Sequence, residues 1–205
     1  MTLQTNSNNL PITILVSDDV RMANPEPLLR FLPRGAFVLL RSKSEARLCK
    51  LAGEIIPRAR QLGIKVLIAG PVRLAHKLGA DGAHLNEATI KRRKTSDIWP
   101  GGRMRKGTLR KGFVLSASAH GRAGLMRAKG AGVDFVLLGQ VYPSHSHPGN
   151  KPLGTIGFCL LAGQSPVPVV AIGGINRNNA RRLTPAGAGK KIIGLAGIEM
   201  FGNKN

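Results

Sequence analysis

The chain has 205 residues, enough for one domain of ordinary size or two small ones. It is 42% hydrophobic and 20% charged, which allows a buried core and argues against intrinsic disorder. Lysine and arginine outnumber the acids by 31 to 10, so the formal net charge is +21. A charge of this size indicates anionic partners, such as phosphorylated small molecules or nucleic acid.

No targeting segment is expected from the first residues of the sequence. Residues 1–10 predict a flexible N-terminus and have neither the basic nor the apolar region of a signal peptide. No apolar run approaches the ~20 residues of a membrane span, so we expect a cytoplasmic protein with no membrane partner. Cys49 and Cys159 have no CxxC spacing and are expected to be free thiols in a reducing compartment.

Eight short aliphatic runs recur along the chain, each bounded by glycine, proline or polar residues. They are continuous rather than alternating, which is typical of parallel strands covered on both faces. The runs are Ile12–Val16, Phe37–Leu40, Val66–Ala69, Gly82–Leu85, Phe113–Ser116, Asp134–Leu138, Pro168–Ile172 and Ile192–Leu195.

Segments with helical spacing separate these runs. The longest, Ser44–Leu62, contains Pro57, which predicts a kink or a break. The others are Pro71–Leu78, Gly121–Gly130, Ile156–Ala162 and Arg177–Leu183. This alternation predicts an α/β fold, a single small (β/α)₈ TIM barrel over residues 1–205 with short or truncated outer helices. A doubly wound open sheet is the alternative, but no GxGxxG follows the first strand.

The segment 91–111 is strongly basic. It holds nine lysines and arginines against one acid, Asp97. We interpret it as a solvated basic loop within the barrel. It is also the place where nucleic acid would bind, but that partner is disfavoured because Trp99 is the only aromatic residue there.

In a barrel of this kind, functional groups lie at the C-terminal ends of the strands. His120 is the best acid/base candidate because an imidazole titrates near neutral pH. His84, inside the fourth strand, is expected to pack and hydrogen-bond. The residues that follow strands are Arg41 and Lys43; Ser118 and His120; Ser144, His145, Ser146, His147 and Lys151; Gly173 and Gly174; and Ala196 and Gly197.

The glycine-rich turns after strands seven and eight predict a phosphate site. Backbone N–H groups point at the anion, and glycine lets the backbone approach it closely. Gly173 and Gly174 are also compatible with a plain tight turn, but the nearby cations Arg41 and Lys43 favour an anion. No metal site is predicted, because His145 and His147 are only two residues apart and have no carboxylate close in sequence.

Four motifs, in this order, resemble those of the thiamine-phosphate synthase and thiazole tautomerase superfamily. LGADGAHL (78–85) is similar to its GADGVHL, and SAH (118–120) to its STH or SAH. The segment 139–154, with GQVYPS and KPLG, is similar to GPVFPT and KPxG, and VVAIGGIN (169–176) to IPVVAIGGI. The resemblance implies a barrel that couples a thiazole phosphate to an aminopyrimidine diphosphate and releases pyrophosphate.

The resemblance also assigns roles by position. Ser118 corresponds to a serine that contacts pyrophosphate, and Lys151 to the lysine of KPxG. Catalytic roles would fall on His120, Ser118, His147 and Lys151; diphosphate binding on Arg41, Lys43, Ser144 and Ser146; and binding of the thiazole phosphate on Gly173, Gly174, Ala196 and Gly197.

Several positions depart from the superfamily pattern, so we expect a diverged member. Its Mg²⁺-binding acids are replaced by Ala69-Gly70 and Thr89, and Glu87 is the only nearby substitute. His147 stands where the superfamily has a lysine, and Leu39 where it has a glutamine. Mg²⁺ is therefore a weakly supported cofactor, and no organic cofactor is expected.

Three functions remain open at this level. The first is a synthase acting on small phosphorylated substrates, and the second is a thiazole tautomerase-like isomerase that uses His120 as a proton shuttle. The third is a non-catalytic barrel that binds a phosphate ligand or nucleic acid. A homo-oligomer is compatible with each of them.

Overall fold

Eight parallel strands close into a barrel in which each strand pairs with the next and β1 pairs with β8. The computed structural model describes residues 12–92, 109, 111–144, 149, 151–183 and 191–198. The predicted TIM barrel is thus confirmed. The strands are β1 (Ile12–Val16), β2 (Phe37–Leu40), β3 (Lys65–Ala69), β4 (Gly82–Leu85), β5 (Val114–Ala119), β6 (Phe135–Leu138), β7 (Val169–Ile172) and β8 (Ile192–Gly197).

Most of the outer helices are short, as predicted. None of the described helices has the length and apolar composition that crossing a bilayer requires. The helices are α1 (Glu26–Leu29), α2 (Glu45–Gln61), α3 (Val72–Lys77), α4 (Glu87–Arg92), α5 (Arg122–Gly130) and α6 (Gly154–Gly163), and a 3₁₀ turn, Ala180–Leu183, lies between β7 and β8. Helices α1 and α4 had no sequence prediction, and α4 contains the first two residues of the basic segment. Most of that segment lies outside the described residues.

The break predicted at Pro57 is wrong, because α2 runs unbroken from Glu45 to Gln61; a kink at this residue stays a prediction. Pro57 lies on the exposed face of the helix. The residue four positions earlier, whose carbonyl faces the proline ring, is Gly53, which is also exposed and has open space around it. Water can therefore satisfy the carbonyl that loses its N–H partner, and the opposite face keeps its buried residues Ile55, Ile56 and Ala59 in place.

The apolar residues form two layers. Side chains that point out of the barrel pack under the helices, and a second cluster fills the barrel interior. The interior cluster consists of Ile14, Val16, Phe37, Leu39, Leu67, Val114, Phe135, Leu137, Val170 and Ala196. Phe37 and Phe135 meet edge to face across it, with ring centroids 6.0 Å apart. The barrel interior is therefore filled by packed side chains.

Two aspartates hold the N-terminal ends of neighbouring strands together. Asp81 Oδ2 accepts a 2.8 Å hydrogen bond from the backbone N–H of Val66, and Asp134 Oδ2 accepts one of the same length from Leu115. Both acids lie far along the chain from the strands they bind. They have structural roles at the face of the barrel opposite the predicted site.

Candidate active site

A cavity of about 140 Å³ opens at the C-terminal ends of the strands. The lining of the cavity includes Val16 and Leu137, which also belong to the apolar cluster of the barrel interior. The other lining residues come from loops and strand ends on six of the eight strands. They are Arg21, Arg41, Ser118, His120, Gly139, Gln140, Ser144, Ile172, Gly173, Gly174, Ile175, Gly197 and Ile198.

Seven of the sequence-predicted site residues meet at this cavity. They are Arg41, Ser118, His120, Ser144, Gly173, Gly174 and Gly197. Ser118 and Gly197 lie inside β5 and β8 rather than after them, because both strands extend further than their apolar runs. The predicted residues Ser146 and His147, together with His145, lie outside the described residues.

Three predicted site residues are not part of the cavity lining. Lys43 is exposed, and its backbone N–H, not its side chain, makes the specific contact, a 2.9 Å hydrogen bond to Asp19 Oδ2. Lys151 is exposed as well. Ala196 is fully buried because the strand pleat turns it into the interior cluster, while its neighbour Gly197 reaches the cavity.

The turn after β7 depends on glycine. Gly173 and Gly174 have φ of +101° and +64°, and a Cβ on Gly174 would collide with the carbonyl oxygen of Pro143. The carbonyl of Ile172 accepts from Val141 N–H at 3.0 Å, and that of Gly174 accepts from Asn179 Nδ2 at 2.8 Å. The turn is therefore held by its carbonyl groups.

The same bonds orient the N–H groups of this turn. Gly173 O also accepts, from Tyr142 N–H at 3.0 Å. In a trans peptide the N–H points opposite to the C=O, so the N–H groups of Gly173, Gly174 and Ile175 point away from those partners. All three residues line the cavity. Backbone N–H groups of such a glycine turn, when no carbonyl oxygen occupies them, are a general means of binding phosphate.

The loop after β6 is anchored at both ends. Its carbonyls at Gln140 and Val141 accept from the N–H groups of Leu153 and Gly154, each at 2.9 Å. The Tyr142 hydroxyl is 2.9 Å from Thr155 Oγ1. These bonds hold Ser144, the last residue described before the polar part of the loop, at the cavity wall.

Two arginines share one carboxylate beside the cavity. Arg21 Nη2 lies 3.0 Å from Asp18 Oδ2, and Arg41 Nη2 lies 3.7 Å from the same oxygen. Burial raises the pKa of Asp18, but hydrogen bonds from the backbone of Val20, Arg21 and Met22 and from the Arg21 side chain outweigh it and lower that pKa. Beside the cavity, two positively charged guanidinium groups therefore lie near one negatively charged carboxylate. Sequence analysis missed Arg21, although an arginine three residues after a strand-end aspartate is a detectable signal.

A second network holds His120. Its Nδ1 is 2.6 Å from Glu87 Oε2, and its backbone N–H donates to the same oxygen at 3.1 Å. The other oxygen, Oε1, accepts from Arg127 Nη2 at 2.6 Å. Burial raises the pKa of Glu87, but the hydrogen bonds from His120 and Arg127 outweigh it and lower the pKa. An ionised Glu87 places a proton on Nδ1 and leaves Nε2 of His120 for proton exchange.

The described residues do not fit a resident Mg²⁺. Within that part of the chain no group of three or more His, Cys, Asp and Glu side chains is arranged to hold a metal ion. Glu87, the expected substitute ligand, is engaged by His120 and Arg127, and Asp18 by backbone N–H groups and Arg21. A hard cation needs several oxygen ligands at once, and the described residues do not offer such a set.

A buried histidine, His84, forms a hydrogen bond with Ser118. His84 is 7% exposed, with Nδ1 2.9 Å from Ser116 Oγ and Nε2 2.9 Å from Ser118 Oγ. Burial, followed by the positive charge of Arg41, lowers the pKa of His84 to about 4. The expectation that this histidine packs and hydrogen-bonds is confirmed.

Fold and site together define a class of protein: a TIM barrel with a cavity at its C-terminal face that is lined by two arginines and a glycine turn. The model of the thiamine monophosphate synthase family matches residues 13–196, and the chain belongs to that family. Family membership connects it to thiamine biosynthesis and to enzymes of the transferase type.

Individual relatives agree with this assignment. A thiamine-phosphate synthase of Chlorobium luteolum is 31% identical over 188 residues, 89% of this chain and 83% of that protein. A putative thiamine-phosphate synthase 2 of Aquifex aeolicus is 28% identical, over 86% of this chain and 88% of its own. The solved thiamine phosphate pyrophosphorylase of Pyrococcus furiosus covers 93% of this chain and 86% of its own, with a TM-score of 0.66 and 22% identity. That structure supports the fold alone.

Proposed function

We propose that this barrel couples a thiazole phosphate to an aminopyrimidine diphosphate. The C–O bond between the pyrimidine methylene and the diphosphate breaks, and pyrophosphate leaves with the electron pair. The lone pair of the thiazole nitrogen then forms the new C–N bond to the methylene carbon. The observation that carries the proposal is one cavity that is lined both by a pair of arginines and by a glycine turn.

Each feature has a role in this reaction. Arg21 and Arg41 present guanidinium groups that offset the charge developing on the leaving pyrophosphate, where fixed cations are most effective. The turn at Gly173 and Gly174 offers N–H groups to the thiazole phosphate. The Ser144 hydroxyl, on the loop after β6, is a further ligand for a phosphate oxygen.

A direct assay tests the proposal. Purified protein is incubated with the two precursors and Mg²⁺, and thiamine phosphate and pyrophosphate are quantified. Product at 1:1 stoichiometry is expected, and yields equal to those of heat-denatured protein would refute the coupling. A parallel reaction with EDTA measures how far the protein's own cations suffice.

A matched pair of variants tests the cationic feature. Arg41→Gln removes a guanidinium from the cavity wall, and we expect kcat/KM to fall about 10²-fold, as for loss of one preorganised charge-stabilising group. Lys43→Gln removes an equal charge from an exposed side chain outside the cavity lining, so a change below about threefold is expected. Equal losses in both variants would show that the charge acts through the general field and not through this contact.

A second candidate function rests on the His120–Glu87 pair. A thiazole tautomerase-like isomerase needs one group that removes a proton from the thiazole and returns it to another atom of the same molecule. Nε2 of His120, with Nδ1 held by Glu87, is such a group at the cavity. Isomerisation of the thiazole carboxylate phosphate is expected to drop at least 10²-fold in His120→Ala, and a wild-type rate in that variant would exclude this function.

A further inference from the structure

A continuous chain of polar contacts runs from the barrel interior to the cavity. It starts at Ser116 Oγ, which is fully buried, passes through both ring nitrogens of His84, and ends at Ser118 Oγ, which lines the cavity. Both contacts to the ring measure 2.9 Å. The direction in which hydrogens point along this chain decides what Ser118 offers to a ligand.

A neutral ring has one N–H, so the chain has two possible directions. In the first, Ser116 donates to Nδ1, Nε2–H donates to Ser118, and the Ser118 hydroxyl hydrogen is left for the cavity. In the second, Ser118 donates to Nε2, Nδ1–H donates to Ser116, and the Ser116 hydroxyl needs another acceptor. Ser118 is a donor toward the ligand in the first direction and an acceptor in the second.

The surroundings of Ser116 distinguish the two directions. In the second direction its hydroxyl must donate to the carbonyl oxygen of Ala83, which lies 3.4 Å away, beyond the usual O–H···O range of 2.5–3.0 Å. In the first direction every buried group uses a 2.9 Å contact, and the remaining hydrogen lies at the cavity, where water or a ligand accepts it. A poorly satisfied buried hydroxyl is costly, so the first direction is favoured.

We propose that His84 is a positioning residue that carries its proton on Nε2 and thereby makes Ser118 Oγ a hydrogen-bond donor toward the cavity. Ser118 then selects for an acceptor such as a phosphate oxygen and against a ligand N–H at that point. The orientation follows from the contacts of His84 and Ser116. Only the identity of the acceptor rests on the proposed function.

Nuclear magnetic resonance tests the orientation without any ligand. Protein labelled with ¹⁵N-histidine is recorded in long-range ¹H–¹⁵N spectra at pH 7.5, and the His84 signals are identified by their loss in His84→Gln. A protonated Nε2 with a bare Nδ1 is the expected result. A proton on Nδ1 would overturn the proposal, whether or not the enzyme proves to be a synthase.

Binding of inorganic pyrophosphate, measured by calorimetry, tests the consequence. Ser118→Ala and His84→Leu are each expected to weaken binding about tenfold, and the double variant no more than Ser118→Ala alone, since both remove one charge-assisted hydrogen bond. His84→Gln should stay within about threefold, because its amide can accept from Ser116 and donate to Ser118.

The binding outcomes separate this inference from the proposed function. Wild-type affinity in either His84→Leu or Ser118→Ala would contradict the positioning role. If His84→Leu does not fold, the His84→Gln affinity and the protonation of Nε2 still decide it. Failure of the wild-type protein to bind pyrophosphate would instead refute the synthase, and the spectra would decide the role of His84 alone.

Discussion

The buried His84 predicts that the folded chain loses stability as the pH falls. Its pKa is about 4 in the folded chain against 6.5 as its ordinary value, because folding buries the ring and brings it within the positive field of Arg41. The unfolded chain therefore binds a proton between pH 6.5 and 4 that the folded chain does not. The stabilisation is complete above pH 6.5 and is lost as the pH falls toward 4.

The magnitude follows from the two pKa values. Proton binding by the unfolded state lowers the free energy of unfolding by about 2 kcal/mol at pH 5, and by almost nothing at pH 7.5. For a chain of this size, about 2 kcal/mol corresponds to a fall of roughly 4–8 °C in Tm. The lowered pKa values of Asp18 and Glu87 act mainly below their ordinary values of 3.8 and 4.5, so they contribute little above pH 5.

The assay compares the wild type with His84→Gln, which cannot titrate. Urea unfolding followed by far-ultraviolet circular dichroism is measured at several pH values from 7.5 to 5.0. The difference between the two proteins cancels the titration of every other group. We expect the wild type to lose about 2 kcal/mol more than the variant over this range. Parallel pH profiles would show that His84 does not bind its proton differently in the two states.

Two further predictions concern stability at neutral pH. Gly174→Ala should lower the free energy of unfolding by about 1–3 kcal/mol and weaken phosphate binding, because the turn needs a positive φ. The control Gly53→Ala, in the interior of α2 with open space around it, should raise the free energy of unfolding by ~0.5–1 kcal/mol. An unchanged stability of Gly174→Ala would refute the strained turn. Glu87→Gln should lower the free energy of unfolding by about 1–3 kcal/mol, because it weakens the bonds to His120 and Arg127. The control Glu26→Gln changes an exposed carboxylate that lies 3.7 Å from Arg58 and should lower it by less than ~0.5 kcal/mol. Equal losses in the two variants would contradict the role of the Glu87 network.

Nucleic-acid binding through the segment 91–111 stays a prediction, since most of that segment lies outside the described residues. A polarisation assay with RNA and DNA across salt concentrations tests it. Binding with little dependence on salt would count against contacts to the phosphate backbone.

The sequence predicted the barrel because local patterns encode its strands. Runs such as Phe37–Leu40 and Val169–Ile172 are apolar on both faces, and only a parallel sheet covered on both sides buries them. Strand ends were less accurate at β5 and β8, where Ser118 and Gly197 continue the strand although they are not hydrophobic. The ladder between neighbouring strands, not the side chains, extends the strand there.

Candidate residues were found where strand order alone locates them. The C-terminal ends of parallel strands meet at one face, so Arg41, His120 and Gly173 were predicted to lie together, and they do line one cavity. The side chain of Lys43 has the same charge and almost the same place in the chain as Arg41, yet it is exposed. The two side chains are only two positions apart in the chain, and the path of the loop determines which of them lines the cavity.

The sequence by itself determined the fold, the family and the face of the barrel at which most of the candidate residues lie, because these depend on local apolar runs and on motifs of a few residues. Only the tertiary structure decided which side chains form hydrogen bonds and ion pairs with each other. Glu87 could be read as a metal ligand until Arg127, 40 residues further on, and His120 were found bound to it. His84 likewise acquires its role from Ser116 and Ser118 on the neighbouring strand. Charges and hydrogen bonds act over a few ångströms in space, and such distances between residues far apart in the chain exist only once it has folded.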